Sequence, residues 1–321
     1  MLPEKLKEML KKQHYALVGK HSAVQVCKYT KDSIRGKNFC YKQKFYGIQS
    51  HRCVQMTPST MWCQHRCLFC WRPIEHTLGD VLKGKTDEPK DIVDGCIQAQ
   101  KKQLLGFGGN LKADKKKLKE AMEPKHFAIS LSGEPTIYPK LSELIKELDK
   151  RKITSFVVSN GEIPEMIRKI NPTQLYISVD APNEKLFNKI DRPCNKRYGW
   201  KNLIKTLKIL KTKNKKTRTV LRLTLIKGLN MVEPENYAKL IKIADPMFIE
   251  VKAYIAVGFS RQRFGEPRCV EIMPTHSEVR DFAKKICKFS GYKIIDEKKN
   301  SRVALLMKRD RKDRIMRFKD K

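Results

Sequence analysis

The sequence predicts an α/β fold in which parallel βα units form an incomplete (β/α)6 barrel, a partial version of the eight-fold TIM barrel. Two observations carry this. Apolar, β-branched runs recur along most of the chain, and helices with apolar residues at i, i+3, i+4 and i+7 lie between them. Alternation of this kind builds a parallel sheet with helices packed on it. In such folds the functional residues come from the C-terminal ends of the strands.

In chain order, the strand candidates are residues 56–62, 126–131, 153–159, 174–180, 219–226, 247–253 and 292–296. Leu141, Leu144, Ile145 and Leu148 give one intervening helix its apolar face, and Val279, Phe282, Ala283 and Ile286 give another. Residues 1–55 are left as an N-terminal extension, 56–297 make the barrel, and 298–321 form a basic C-terminal segment. With 321 residues, 40% of them hydrophobic, the chain can bury a core of this size. No run approaches the roughly 18 uncharged apolar residues of a membrane span. The N-terminus carries acids and lacks an apolar stretch, so no secretory signal is expected. A cytoplasmic monomer with no membrane partner is expected.

Lys and Arg number 69 against 34 Asp and Glu, a formal charge of +35. A surplus that large implies a polyanionic partner, a nucleic acid sooner than a membrane. Residues 205–218 and 308–321 concentrate the basic side chains. The loop 258–268 sets Phe259 and Phe264 among Arg261, Arg263 and Arg268, a mixture suited to phosphates and to stacking on unpaired RNA bases. Arg261, Arg263, Phe264 and Arg268 are therefore the nucleic-acid-binding candidates, and the tail is expected to add RNA affinity. The plainer alternatives are a solvated helix face and a disordered end.

Six of the ten cysteines fall early: Cys27, Cys40, Cys53, Cys63, Cys67 and Cys70. A disulfide scaffold would be shorter and more evenly studded, so the clustered thiols read as metal ligands. Trp62-Cys63-Gln64-His65-Arg66-Cys67-Leu68-Phe69-Cys70 has the spacing C-x3-C-x2-C. Zinc usually takes paired ligands to complete a tetrahedron, and no fourth thiol follows nearby. Three loop thiolates can instead hold three corners of an iron–sulfur cube and leave one iron open. Zinc or purely structural cysteines are the alternatives. Phe69 would shield one side of a cluster, and His65 is expected to point away from it. Cys27, Cys40 and Cys53, each separated by twelve residues, would make a second three-thiolate set. Its open iron would take a substrate carboxylate or carbonyl; buried free cysteines are the alternative. Cys96 and Cys287 share helix faces with apolar neighbours and read as packing residues. Cys194 and Cys269 carry no chemical reading.

The cysteine loop, with its aromatic residue before the last cysteine, resembles the signature of the radical S-adenosylmethionine (radical SAM) superfamily. That resemblance implies a [4Fe–4S] cluster on Cys63, Cys67 and Cys70 with S-adenosylmethionine (SAM) bound to it. Ser132-Gly133-Glu134-Pro135 resembles the element that holds the amino group of SAM, with serine replacing the first glycine; an ordinary Gly-Pro turn is the plainer reading. Asn160, Ser178 and Asp180, at two further strand ends, suit ribose hydroxyls and a cationic sulfonium, although Asn160-Gly161 is equally a common turn. Arg222 would meet the SAM carboxylate or join a buried ion pair.

Together with the Cys27/Cys40/Cys53 spacing, the run from Met61 to Pro73 and the basic composition, these motifs resemble the tRNA 4-demethylwyosine synthase family in its shorter archaeal form. The resemblance runs from Cys27 into the C-terminal segment. It implies a lyase that condenses N1-methylguanosine beside the anticodon of tRNA-Phe with pyruvate, in wyosine and wybutosine formation. It also implies two [4Fe–4S] clusters, SAM and an external electron donor, since the flavodoxin-like domain of eukaryotic relatives has no room here. Pyruvate would be held by the second cluster or by a Schiff-base lysine. Among Lys37, Lys42 and Lys44, Lys42 is favoured, because the family's lysine falls in this segment; a surface cation is the plainer reading. Two rival readings are another two-cluster radical SAM enzyme acting on RNA (a methylthio- or methyltransferase) and a non-catalytic zinc protein that binds RNA.

Overall fold

Six parallel strands form the middle of one ten-stranded mixed sheet in the computed structural model, which describes residues 2–213 and 217–318. β1 (Ala16–Val18) and β2 (Ser22–Val24) are an antiparallel hairpin. The parallel set is β3 (Cys53–Thr57), β4 (His126–Ile129), β5 (Thr154–Ser159), β6 (Gln174–Ser178), β7 (Arg218–Leu225) and β8 (Phe248–Ala253). β9 (Lys293–Lys298) and β10 (Val303–Met307) close the other edge, in the order β1-β2-β3-β4-β5-β6-β7-β8-β10-β9. Among the described residues no helix is long and apolar enough to cross a membrane.

Side chains alternate across a strand with period two, and here both faces are buried. Val157, Leu175, Ile177, Leu221, Leu223, Ile249 and Val251 face one core, shared with Leu141–Leu148 side chains and with Val279, Phe282, Ala283 and Ile286 of the helix His276–Ser290. Phe156, Val158, Tyr176, Val220, Phe248, Val303, Leu305 and Met307 face the other. That inner face is covered by a segment of the expected extension: the helix Tyr41–Tyr46 lays Tyr41, Phe45 and Tyr46 against it. Cys96 and Cys287 pack into the outer core, as their helix positions predicted.

Four strands depart from the sequence reading. β3 begins at Cys53 and ends at Thr57, so residues 58–62 form a turn beyond the first parallel strand. β1 and β2, too short for a periodic signal, add a hairpin to the sheet. β10, buried throughout, lies within what was expected to be a basic tail; its charged flanks hide a five-residue apolar run.

The tail itself is docked. Arg314 donates to the carbonyl of Phe45 at 3.0 Å, the Met316 N–H to the carbonyl of Tyr46 at 2.9 Å, and the Phe318 ring lies 4.8 Å from that of His126. Arg218, the first residue of β7, donates to the Asp313 and Arg314 carbonyls at 2.7 Å. The segment therefore packs at the N-terminal ends of the parallel strands rather than forming the disordered end that was the plainer alternative. Residues 319–321 of the tail and 214–216 of the other basic run lie outside the described residues. Within that second run, the Lys213 ammonium is turned inward, to the Ile170 carbonyl at 2.7 Å and Asn171 at 3.0 Å.

Candidate active site

Segments that follow β3, β4, β5 and β6 meet around one cavity, with Arg222 of β7 in its wall. Cys63, Cys67 and Cys70 line it, all free thiols. Backbone bonds hold their loop: the Cys63 N–H donates to Gly79, that of Leu68 to Ile190 and that of Cys70 to Cys67, at 2.9, 2.9 and 3.1 Å. Burial pushes all three thiols up, with Glu134 adding at Cys63 and Asp191 at Cys67. Thiols in this state bind a soft metal group by exchanging their protons for it. Two orphaned atoms point the same way: Asp191 Oδ2 and Arg222 Nε are buried in the cavity wall without a hydrogen-bond partner, as a polar ligand's neighbours would be. The residues present therefore fit an iron–sulfur cluster with a polar molecule beside it.

The turn after β4 is shaped by Gly133. Its φ of +66° suits glycine, and a Cβ there would run into the backbone carbonyls of Ser59 and Trp62. Glu134 follows, with Oε1 accepting from the Thr136 N–H (3.1 Å) and hydroxyl (2.6 Å) and Oε2 from the Asn160 N–H (2.8 Å). Burial raises its carboxyl. Ser132 sits beside it in the wall. The Asn160 amide reaches Gln64 at 3.3 Å; Ser178 accepts from Arg222 at 3.3 Å; Asp180 accepts the Thr224 N–H at 2.6 Å, and burial raises its carboxyl too. Every SAM-binding candidate named from sequence thus reaches this cavity.

His65 departs from expectation. It was expected to point away from the thiols, yet its ring lines the cavity, 2.8 Å from Glu162, and one ring nitrogen lies within 4.8 Å of Cys67 Sγ and an Asp191 oxygen. Asp191 was not foreseen at all. It accepts from the Cys67 thiol at 3.6 Å across 124 residues of chain, and burial lifts its carboxyl well above the usual range. No local pattern could have signalled that contact.

The second cysteine set also converges. Cys27 and Cys40 are the residues just before the helices Lys28–Ile34 and Tyr41–Tyr46, and Cys53 opens β3. Burial pushes Cys40 up to about 11 and Cys53 up to about 12; Cys27 adds to both, while Lys42 pulls them down. The Lys42 ammonium lies over the Tyr176 ring (4.4 Å) and the Phe156 ring (5.2 Å), on the inner face. Lys44 instead pairs with Asp296 at 2.8 Å, and Lys37 is exposed. Two further inner-face residues escaped sequence reasoning. Glu250 is buried and accepts from the Tyr41 and Tyr46 hydroxyls at 2.8 and 2.7 Å. Lys252 lies over the Tyr41 ring at 5.4 Å, its ammonium held below the ordinary lysine range by burial and then by Arg222. Charged residues at alternate positions of the apolar strand β8 were the available signal.

A second cavity, of about 730 Å³, is lined by Cys27, Lys28, Lys31, Arg35, Thr224 and Lys252 among others. It shares Phe69, Trp71 and Arg222 with the first.

Of the nucleic-acid candidates, Arg261 and Arg268 are exposed, with Arg261 paired to Glu266. Arg263 and Phe264 are engaged within the fold. The Arg263 side chain is 10% exposed and supports the cysteine loop, donating to the Leu68 carbonyl at 3.1 Å and pairing with Glu75 at 2.7 Å. Phe264 packs on Tyr254, ring centres 5.4 Å apart. Of the two unread cysteines, Cys269 is buried and Cys194 exposed.

A parallel sheet whose successive strand ends converge on three thiols is the plan of a radical SAM enzyme, and the profile of the radical SAM superfamily matches residues 57–241. A second profile, wyosine base formation, matches residues 243–308. The chain belongs to the tRNA 4-demethylwyosine synthase family. The S-adenosyl-L-methionine-dependent tRNA 4-demethylwyosine synthase of Pyrococcus abyssi is 48% identical over 315 residues, covering 96% of this chain and 90% of that protein. The Methanocaldococcus jannaschii protein of that name is 43% identical, covering 97% and 98%. The human one is 39% identical and is matched over 42% of its own length. A solved structure of TYW1 with a lysine–pyruvate adduct bound superposes with a TM-score of 0.87 at 41% identity, covering 98% of this chain and all of that one. Membership implies SAM and a [4Fe–4S] cluster.

Proposed function

We propose that this protein condenses N1-methylguanosine beside the anticodon of tRNA-Phe with pyruvate to form the tricyclic base 4-demethylwyosine. It acts as a carbon–carbon lyase, as a cytoplasmic monomer fed by an external electron donor. One observation carries the two-centre form of this reading: Cys63, Cys67 and Cys70 line one cavity, Cys27 of the second set lines another, and the two share a wall of Phe69, Trp71 and Arg222.

Cys63, Cys67 and Cys70 hold one [4Fe–4S] cluster, and Cys27, Cys40 and Cys53 a second. When bound, the first cluster and SAM supply an electron and a carbon-centred radical that removes hydrogen from the substrate's N-methyl group. Ser132, Gly133 and Glu134 receive the amino group of SAM, Asn160, Ser178 and Asp180 its ribose and sulfonium, and Arg222 its carboxylate. The Lys42 amine adds to the keto carbon of pyruvate, and loss of water leaves a Schiff base that holds the acid in place. The lysine–pyruvate adduct in the solved relative supports this route over direct binding to iron. Tyr41 and Tyr46, tied to Glu250, set the helix that carries Lys42. Arg261 and Arg268 offer phosphate contacts at the surface.

The test is mass spectrometry of nucleosides from N1-methylated tRNA-Phe after anaerobic incubation with the enzyme, SAM, pyruvate and dithionite. Tricyclic base is expected, with about eight irons per chain. SAM cleavage without tricyclic base would overturn the proposal, and about four irons would remove the second cluster. Cys40→Ala is expected to cleave SAM but form no ring, and borohydride with pyruvate is expected to label Lys42.

A further inference from the structure

We infer that Trp71 is the platform on which the substrate purine stacks, at the seam between the two cavities. The inference rests on the two-centre reaction proposed above. In that reaction the N-methyl carbon loses hydrogen to a radical generated in the first cavity and then bonds to a pyruvate carbon held beside the second cysteine set, whose Cys27 lines the second cavity. The base must therefore straddle the wall common to both.

That wall is Phe69, Trp71 and Arg222. The Phe69 ring is committed to the cluster around Ile190, Ile226 and Tyr254. Arg222 donates to Ser178 and sits opposite Glu250 in the β7–β8 register. Trp71 is the exposed member, with 38% of its surface open. One face of its indole is already occupied: the Arg72 guanidinium carbon lies 3.1 Å from the ring centre. Arg72 is itself 4% exposed, its Nε and Nη2 have no hydrogen-bond partner, and among the described residues no carboxylate pairs with it. The indole thus rests on a cation, an attractive arrangement, and the stack is in place before substrate arrives.

Its support is rigid. The Trp71 carbonyl accepts from the Phe259 N–H at 3.1 Å, and Gly258, at φ +57°, closes on that carbonyl where a Cβ would collide. The Arg72 carbonyl accepts from Arg263 at 3.3 Å. A ring held this way loses little freedom when a base lands on it. Lys28, Lys31 and Arg35 line the second cavity alongside it and supply positive charge for the phosphates of a nucleotide turned out of its loop.

The experiment compares Trp71→Leu and Trp71→Phe in reconstituted holoenzyme. The readouts are KM for N1-methylated tRNA-Phe and the ratio of 5′-deoxyadenosine to tricyclic base, each normalised to that variant's own tRNA-free SAM cleavage. Loss of one stacked base corresponds to roughly 5- to 150-fold in affinity, so Trp71→Leu is expected to raise KM by a factor in that range and to raise the ratio. Trp71→Phe, which keeps an aromatic face, is expected to recover most of both. Parental KM and ratio in Trp71→Leu would overturn the inference, as would a Trp71→Phe no better than Trp71→Leu. If Trp71→Leu fails to hold iron, Trp71→Met, which has bulk but no π-face, is set against Trp71→Phe, and equality of that pair overturns it. A parent enzyme that forms no tricyclic base would sink the two-centre reaction instead, a separate outcome.

Discussion

Removing one hydroxyl from the inner face of the sheet, in Tyr46→Phe, tests how the Lys42 helix is held. Glu250 is fully buried, and its two carboxylate oxygens accept from Tyr46 at 2.7 Å and Tyr41 at 2.8 Å. A carboxylate at that depth is tolerated because its oxygens are bonded. In the variant one oxygen loses its donor, while the phenyl ring keeps its edge contacts with Phe248 and Phe45. The packing contribution therefore cancels, and the charged hydrogen bond is left, about 1.5–3 kcal/mol. A chain of this length unfolds with an entropy of about 0.7 kcal/mol/K, so a loss of about 2 kcal/mol lowers Tm by about 3 °C. Calorimetry of the anaerobic holoenzyme at a fixed scan rate reads this directly. Tyr41→Phe should behave alike. The double variant should depart from additivity, because both hydroxyls serve one carboxylate. Two single variants within about 1 °C of the parent would refute the view that these phenols neutralise the cost of burying Glu250.

Gly133→Ala should reduce SAM affinity at least about tenfold while iron is retained, because a side chain at that left-handed position meets two backbone carbonyls; equilibrium dialysis measures it. His126 should contribute a pH dependence. Burial pushes its imidazole down to about 3, with Arg52, His51 and Lys125 adding, and it accepts the Gln49 N–H at 3.0 Å as a neutral ring. The unfolded ring titrates near 6.5, so the folded state excludes a proton that the unfolded state binds. Stability from this group is complete above about pH 6.5 and falls by about 1.4 kcal/mol per unit as pH drops toward 3. Between pH 7 and 5, His126→Gln should show a shallower decline in denaturation midpoint; parallel declines would exclude the assignment. Ending the chain after Arg309 removes Arg314, Met316 and Phe318 from the floor of the inner core and should lower Tm by about 3 °C or more. The salt dependence of tRNA binding should hardly change, since none of the described tail residues lines either cavity; a flattened slope would return it to the RNA interface.

The cysteine spacing carried the chemistry without any structure, because three thiols within eight residues of chain can reach one cluster only by curling around it. The helix stripes at Leu141–Leu148 and Val279–Ile286, and the run of parallel strands, were equally legible, since their periods are local properties of the backbone. Tertiary structure decided everything that depends on distant segments meeting. It set Cys27, Cys40 and Cys53, whose even spacing had suggested a set, at two helix starts and the beginning of a strand. It turned Arg263 and Phe264 inward, made Val303–Met307 a buried strand beside β8, and set Asp191 against Cys67. Composition counts charges but does not say which way they face. Residue order reports what lies within a turn or a strand, whereas contacts across a hundred residues or more are chosen by which surfaces pack, and packing is a property of the whole fold.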